Sequence, residues 1–540
     1  MRKLDRLKKL LSMLTIIIFS LSSSIILAQE CTPWNASFAN RADITVGDIE
    51  VVTTNIFDHA KKKENKTIHH LINKIHIKTK ASVIESQLLF ATGDRFQYDK
   101  ILETERNIRK QHYIKEIQIT PIELCGNQVN IRVKTSDNWT FTPGLSFSRA
   151  GGNNRTGVEV QEHNLFGYGK SLSFKWKRDE KRTSKQFYYK DPQLFGSRKT
   201  LSVNLQDNSD GKGYGLDLSL PFYQQESKHA WGLSSKKLKQ KVSIYQKGKV
   251  ANKITEENQQ HAAYYGWAAK SDDKLSRFKV GWTFDKTDYL ASSKSSLVLP
   301  PSLKASYPWF EFNQQVEKYI TKTNFKSMGR VEDISLGSSL TLGVAILRKD
   351  FGSSSNLLKL SMDYSKAYEL NSNNLTSFNI KTDSYLGAGR RQGTSLSLNS
   401  EYAHFNEKGN DFFATGIIKA SNNLTFDEQI VLGANTGLRG YPIAYQTGDK
   451  SVMLQAEKRI HFKSYPLNLM KLGAALFTDI GTAWGKENKP KILADAGIGL
   501  RLIPTRSSTG KVIHIDLSFP LVDRNKVDKM QLSIKTSTSF

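Results

Sequence analysis

Long apolar stretches are nearly absent from this 540-residue chain. After the N-terminal leader no segment resembles the ~20 apolar residues of a spanning helix. Mean hydropathy is −0.46 and hydrophobic residues make up 38%. A helical membrane protein is thereby excluded. A membrane-spanning barrel is not, because alternation dilutes hydropathy and each strand gives only a weak signal. Motifs of chemistry are missing too. There is no Gly-x-Ser-x-Gly elbow for a serine nucleophile. There is no His-Glu-x-x-His and no paired Cys-x-x-Cys for a metal. His69-His70 has no nearby ligands in sequence and reads as a polar surface pair. Gly167 and Gly169 read as a hairpin turn, not a phosphate loop. No enzymatic activity, cofactor or metal is expected.

Acidic residues are scarce beside basic ones: 51 against 78, a formal net charge of +27. Such a balance points to anionic partners. Two uses stay open, contacts to lipopolysaccharide phosphates and a generally solvated basic surface. Nucleic acid is not expected as a partner, because the N-terminus reads as an export signal. Arg2, Lys3, Arg6, Lys8 and Lys9 precede an apolar run from Leu10 to Ala28. That order is a secretory signal peptide over residues 1–29, cleaved near Ala28 or Gln29; an uncleaved anchor is the alternative. Glu30 before Cys31 argues against lipid attachment. Cysteine is limited to Cys31 and Cys125. An oxidising compartment permits a disulfide between them, with two free thiols as the other reading.

Residues 30–137 read as a small α/β unit. Asp43–Val52 alternates like a strand, and the Lys/Asn-rich stretch Lys61–Lys66 interrupts the pattern. Ala81–Phe90 and Tyr98–Tyr113 read as helices, with Ile101, Leu102, Ile108 and Tyr113 roughly on one face. Ile114–Leu124 and Gln128–Lys134 alternate as strands around a Cys-Gly-Asn turn. Residues 31–75 are too irregular to read as a second unit of this kind.

From Trp139 the texture changes to short amphipathic runs separated by Gly, Asn, Asp and Ser. Leu172, Phe174 and Trp176 alternate with Ser173, Lys175 and Lys177. Leu216, Leu218, Leu220 and Phe222 flank Asp217 and Ser219. Ile513, Ile515, Leu517 and Phe519 alternate with His514, Asp516 and Ser518. Successive strand side chains point to opposite faces, so one face suits lipid and the other water. Alternation gives about fifteen candidate strands between Trp139 and Ser421 and five more to the end. The last of these, Met530 to Phe540, carries Met530, Leu532, Ile534 and Phe540 at alternate positions. Ending on an aromatic residue, it looks like the final strand of a bacterial outer-membrane β-barrel.

Three further patterns carry a family resemblance. Asn164-Leu-Phe-Gly-Tyr-Gly-Lys-Ser-Leu172 and Asp191-Pro-Gln-Leu-Phe-Gly-Ser-Arg198 look like early barrel hairpins. Gly437-Leu-Arg-Gly-Tyr-Pro442 contains Leu438, Arg439, Gly440 and Tyr441, an arginine-glycine-aromatic core. Phe477-Thr-Asp-Ile-Gly-Thr-Ala-Trp484 sets Phe477, Asp479 and Gly481 on one strand face, with Leu472, Ala474, Leu476 and Ile480 on the other. These patterns resemble the BamA, TamA and TpsB superfamily of bacterial surface-antigen type. Leu88-Leu-Phe-Ala-Thr-Gly-Asp94 through Tyr113-Ile-Lys-Glu-Ile-Gln-Ile119, in the α/β unit, resembles a POTRA domain.

The resemblance implies a membrane all-β fold: an antiparallel barrel of sixteen strands or more over residues 138–540, preceded by a POTRA domain. It implies that the Gly437–Pro442 loop folds back into the lumen. A guanidinium grips a carboxylate bidentately, and an aspartate facing lipid is costly, so Asp479 is the expected lumen partner of Arg439. Gly440 is expected to allow close turning or positive φ, and Tyr441 to pack on the inner wall. Phe540 resembles the C-terminal signal read during barrel assembly. The implied function is insertion of outer-membrane proteins or translocation of a polypeptide. A POTRA edge strand would capture the unfolded client, beside lipid and lipopolysaccharide as further partners. The alternatives are a two-partner secretion transporter and a passive porin-type barrel.

Overall fold

A computed structural model describes residues 31–537, apart from 42, 151–152, 247–248, 272–273, 291–298, 300, 324, 326–330, 390–392, 407–409, 424–428, 464–465, 467–468, 487 and 505–511. The expected leader and Phe540 lie outside the described residues.

The N-terminal unit contains β1 (Cys31–Pro33), β2 (Thr45–Thr54), α1 (Thr67–Ile75), α2 (Ala81–Glu85), α3 (Tyr98–Arg109), β3 (Ile114–Cys125) and β4 (Gln128–Asp137). Its sheet runs β1-β3-β4-β2, with β2 parallel to β4. Ile101 and Ile108 of α3 pack with Val83 and Ile84 against Ile117, Ile119, Ile131 and Val133 of the sheet. Leu102, expected on the same face, is exposed, because it lies a full helical step of about 100° from Ile101. Tyr113 is buried from the turn after α3, since that helix ends at Arg109. Cys31 and Cys125 are register partners joined by a disulfide. Helix α1 was not expected from the sequence. It also corrects the reading of His69-His70 as a surface pair: His69 is fully buried against Phe57, and only His70 faces solvent. Adjacent positions on a helix cannot share one environment.

Among the described residues twenty antiparallel strands follow, from Phe141–Ala150 to Gln531–Ser537, in one sheet whose order is cyclic. The first and last strands meet at a single register pair, Ile534 with Arg149. Twenty strands fall within the expectation of sixteen or more. In the cyclic order each of these strands has hydrogen-bonded neighbours on both sides, while the hairpins Tyr319–Thr323 with Val331–Ser335 and Ile430–Leu432 with Gln446–Gly448 form separate sheets. The strands range from 7 to 23 residues. Their exposed face is apolar, with Val158, Phe174, Leu342, Leu454, Leu476 and Ile498 all exposed. The opposite face buries Asp479, Asp495, Arg501 and Asp516. This is polar-in, apolar-out alternation, the reverse of a soluble domain.

One end of the sheet carries the N-terminal unit. Asn164 donates to Thr79 Oγ1 (2.8 Å), Gln193 to Ser86 Oγ (2.6 Å), Arg198 to the Leu88 carbonyl (2.9 Å) and the Gln225 N–H to Glu103 (2.8 Å). Burial raises the Glu103 carboxyl above the ordinary range. At the same end a two-stranded hairpin, Tyr319–Thr323 with Val331–Ser335, folds across the opening. Its Phe325, Ile334 and Leu336 pack on Ala367, Leu375, Ala403 and Phe413 of the large sheet. Its Asp333 receives both hydrogen bonds from one Arg109 nitrogen of α3, at 2.8 and 2.7 Å.

Candidate functional site

The connection between Asn410–Ser421 and Lys450–His461 folds into the interior of the sheet. Two short strands, Ile430–Leu432 and Gln446–Gly448, pair at its neck. Its tip is Gly437–Pro442. Leu438 and Tyr441 are fully buried with Leu432, Met453, Ala483 and Leu493. Gly437 takes φ +126°, and a Cβ there would lie 1.9 Å from Met453 Sδ. Gly440 has no positive φ, which narrows the two expected roles to one. A Cβ at Gly440 would lie 2.7 Å from Asp495 Cβ, so its backbone needs closeness.

Arg439 reaches the strand Met470–Trp484. Its Nε donates to Asp479 Oδ2 (2.8 Å) and its Nη2 to Asp479 Oδ1 (2.9 Å), the bidentate fork. Asp479 is fully buried and Arg439 is 6% exposed. The guanidinium also lies 3.4 Å from the Phe477 ring centre. Phe477, Asp479 and Gly481 share the buried face, while Leu476 and Ile480 are exposed. Tyr441 donates its hydroxyl to the Ala494 carbonyl (2.8 Å), and the Gly440 N–H donates to Asp495 (3.0 Å).

Arg439 is not confined to Asp479. Its Nη1 donates to Glu457 (3.0 Å) and lies 3.6 Å from Asp516. Arg501, fully buried, bridges Asp516 (2.5 Å) and Glu457 (3.3 Å). Arg459 donates to the other Glu457 oxygen (3.2 Å) and covers the Phe413 ring. Three guanidinium groups thus share three carboxylates on four neighbouring strands and the loop. Sequence reasoning found only the first pair. Asp516 carries the same signal as Asp479, an acid in the polar phase of an apolar alternation. Arg501, between Leu500 and Leu502, carries it as well.

A second anchor lies toward the loop's neck. Tyr445 hydroxyl donates to Asp523 (3.3 Å), and Lys491 Nζ reaches the other Asp523 oxygen (2.5 Å). Burial, and then the charge of Asp523, push the Tyr445 phenol up to about 12. The Lys491 hydrogen bond holds the Asp523 carboxyl below the ordinary carboxylate range.

A cyclic sheet with an apolar outer face, a charged interior and a loop locked inside it defines an outer-membrane β-barrel protein. The chain belongs to the Omp85 superfamily, whose domain matches residues 164–540. It is 23% identical over 317 residues to the outer membrane protein assembly factor BamA of Neisseria meningitidis serogroup B. That match covers 52% of this chain and only 38% of the relative's length. Among solved structures, CdiB from Escherichia coli has a similar fold, with TM-score 0.50 and 11% identity over 95% of this chain and 81% of that one. BamA from Haemophilus ducreyi lacking POTRA domains 1–3 gives TM-score 0.39 and 12% identity, covering 94% of this chain and 88% of that one.

Proposed function

We propose that this protein inserts outer-membrane proteins or moves a polypeptide across the outer membrane, acting without chemical catalysis and without a cofactor. In this reading residues 1–29 are a cleaved signal peptide, 30–137 a periplasmic POTRA-type domain and 138–540 the transmembrane barrel. The observation that carries the reading is the buried tip Gly437–Pro442, gripped by Arg439 and Asp479 inside the Omp85-matched region. In a passive pore an anchored lumen loop can only narrow the path. A barrel that must hold a seam or a path in one state does.

Client capture would occur at β3. Edge strands present unpaired backbone groups that an extended peptide can join. β1 covers only Glu123–Cys125; before Pro121 the Ile119 N–H is capped by the Glu105 side chain (2.7 Å), which an incoming unfolded segment would displace. Basic residues outside the membrane would meet lipopolysaccharide phosphates. The test is a photo-reactive residue at the exposed Gln118 of β3, cross-linked in cells. Capture of unfolded barrel precursors supports insertion, and capture of one large secreted polypeptide supports transport. No captured polypeptide, together with steady solute conductance, would leave a passive pore and overturn the proposal.

A further inference from the structure

Helix α1 is built inside out. Its buried side is polar. His69 is fully buried and stacks on Phe57 at 4.1 Å. Asn73 donates to the Phe57 carbonyl (2.8 Å) and accepts from the Phe57 N–H (3.1 Å). Just past the helix, His76 meets Asp137 at 2.9 Å. The outer side is apolar: Ile68, Leu71, Ile75 and then Ile77 are 38, 53, 59 and 55% exposed. A surface helix of a soluble domain turns such a stripe toward its core. Here the core side holds His69 and Asn73 beside the half-buried Ile72, and the stripe is left outside.

Two observations say what covers it. The first is charge. Seven lysines and two carboxylates lie between Asp58 and Lys80, with Lys62, Lys66 and Lys74 exposed. The second is continuity with the apolar outer wall of the sheet. Thr79 is bonded to Asn164, the Lys80 N–H donates to the Gly167 carbonyl (3.0 Å), and Lys80 Nζ lies 3.6 Å above the Tyr168 ring. That turn projects Phe166, 65% exposed, at φ +54°. The strands leaving it carry the exposed Val160 and Phe174. The apolar stripe of α1 therefore begins beside the lower rim of the wall.

We propose that α1 is an interfacial anchor, lying on the periplasmic leaflet of the outer membrane. Its isoleucine and leucine side chains sink into the headgroup–acyl boundary, and its lysines meet the phosphates of anionic phospholipid. This rests on the reading of the large sheet as a membrane-spanning barrel. The anchor fixes the height and tilt of the N-terminal unit, and with it the open part of β3, relative to the bilayer.

The test uses the full oxidised chain with one added cysteine, Leu71→Cys or Ile75→Cys, carrying an environment-sensitive fluorophore. The protein is reconstituted at high dilution into phosphatidylethanolamine–phosphatidylglycerol vesicles, with and without brominated acyl chains. Leu476→Cys, on the outer wall, reports the barrel itself; Gln118→Cys reports a site in water. Brominated lipid should quench positions 71 and 75 severalfold, as it does 476, and leave 118 unchanged. Replacing phosphatidylglycerol by phosphatidylcholine should weaken quenching at 71 and 75 only; equal quenching would overturn the role of the lysines. Labels at 71 and 75 that stay unquenched while 476 is quenched would overturn the anchor. So would labels shielded from aqueous iodide yet untouched by brominated lipid, which marks a second copy of the chain. An unquenched label at 476 would instead overturn the barrel reading.

Discussion

Replacing Arg439 by alanine should release the lumen loop, and the structure says by how much more than replacing Asp479. Asp479 is fully buried and takes two hydrogen bonds from Arg439, at 2.8 and 2.9 Å. Without the guanidinium, its remaining side-chain donor is the neutral Gln455 amide (3.1 Å). Stranding a buried charge costs about 3–5 kcal/mol. In Asp479→Ala, by contrast, Arg439 keeps Glu457 at 3.0 Å and Asp516 at 3.6 Å. That variant loses charge-assisted hydrogen bonds, at about 1.5–3 kcal/mol, without leaving an unpaired ion. Hydrogen exchange over residues 433–448 reads the opening free energy. Arg439→Ala should speed exchange there by roughly two to three and a half orders of magnitude, at 1.4 kcal/mol per decade. Asp479→Ala should have a smaller effect, and the double variant should be no worse than Arg439→Ala. Arg439→Lys should recover part of the loss, because an ammonium keeps the charge and lacks the fork. Wild-type exchange in Arg439→Ala, or a larger defect in Asp479→Ala, would refute this account.

Four further outcomes follow from the same geometry. Gly440→Ala should destabilise the loop by about 1–3 kcal/mol through overpacking on Asp495, seen as faster exchange of the same peptide. Asp333→Ala should free the hairpin from α3 at about 1–3 kcal/mol, since Arg109 loses two hydrogen bonds to a carboxylate while keeping Glu105 at 3.7 Å; trypsin should then cut sooner at Lys318 or Lys322. Purified mature protein should show no free thiol without reductant, and Cys31→Ala with Cys125→Ala should lower the thermal midpoint of the N-terminal unit. The bridge spans 94 residues, and the chain-entropy model gives about 4–5 kcal/mol for a loop of that size. Deleting Phe540 should reduce the heat-modifiable, membrane-integrated form of the protein, while unchanged levels would argue against a terminal signal.

Periodicity, read together with the basic-then-apolar leader, the terminal Phe540 and the local motifs, pointed to the class of this protein. An inward phase for Asp479, an outward phase for Leu476 and Ile480, and the order of the β-rich region follow from a two-residue repeat that every strand must obey. The glycine turns at Gly167 and Gly169 were legible for a similar reason, since Cβ sterics act locally. Contacts among distant segments were not legible. Arg501, Glu457 and Asp516 come from three different strands, and nothing in a local pattern states that their side chains converge on Arg439. Helix α1 was missed although Ile68, Leu71, Ile72 and Ile75 recur at helical spacing; that His69 and Asn73 face inward and the stripe outward is what no periodicity can state. The closure of the sheet through Ile534 and Arg149, and the hairpin tied to Arg109 by Asp333, depend on pairings hundreds of residues apart. Tertiary structure decided these, because long-range pairing is chosen by the whole set of competing contacts and not by any one stretch of chain.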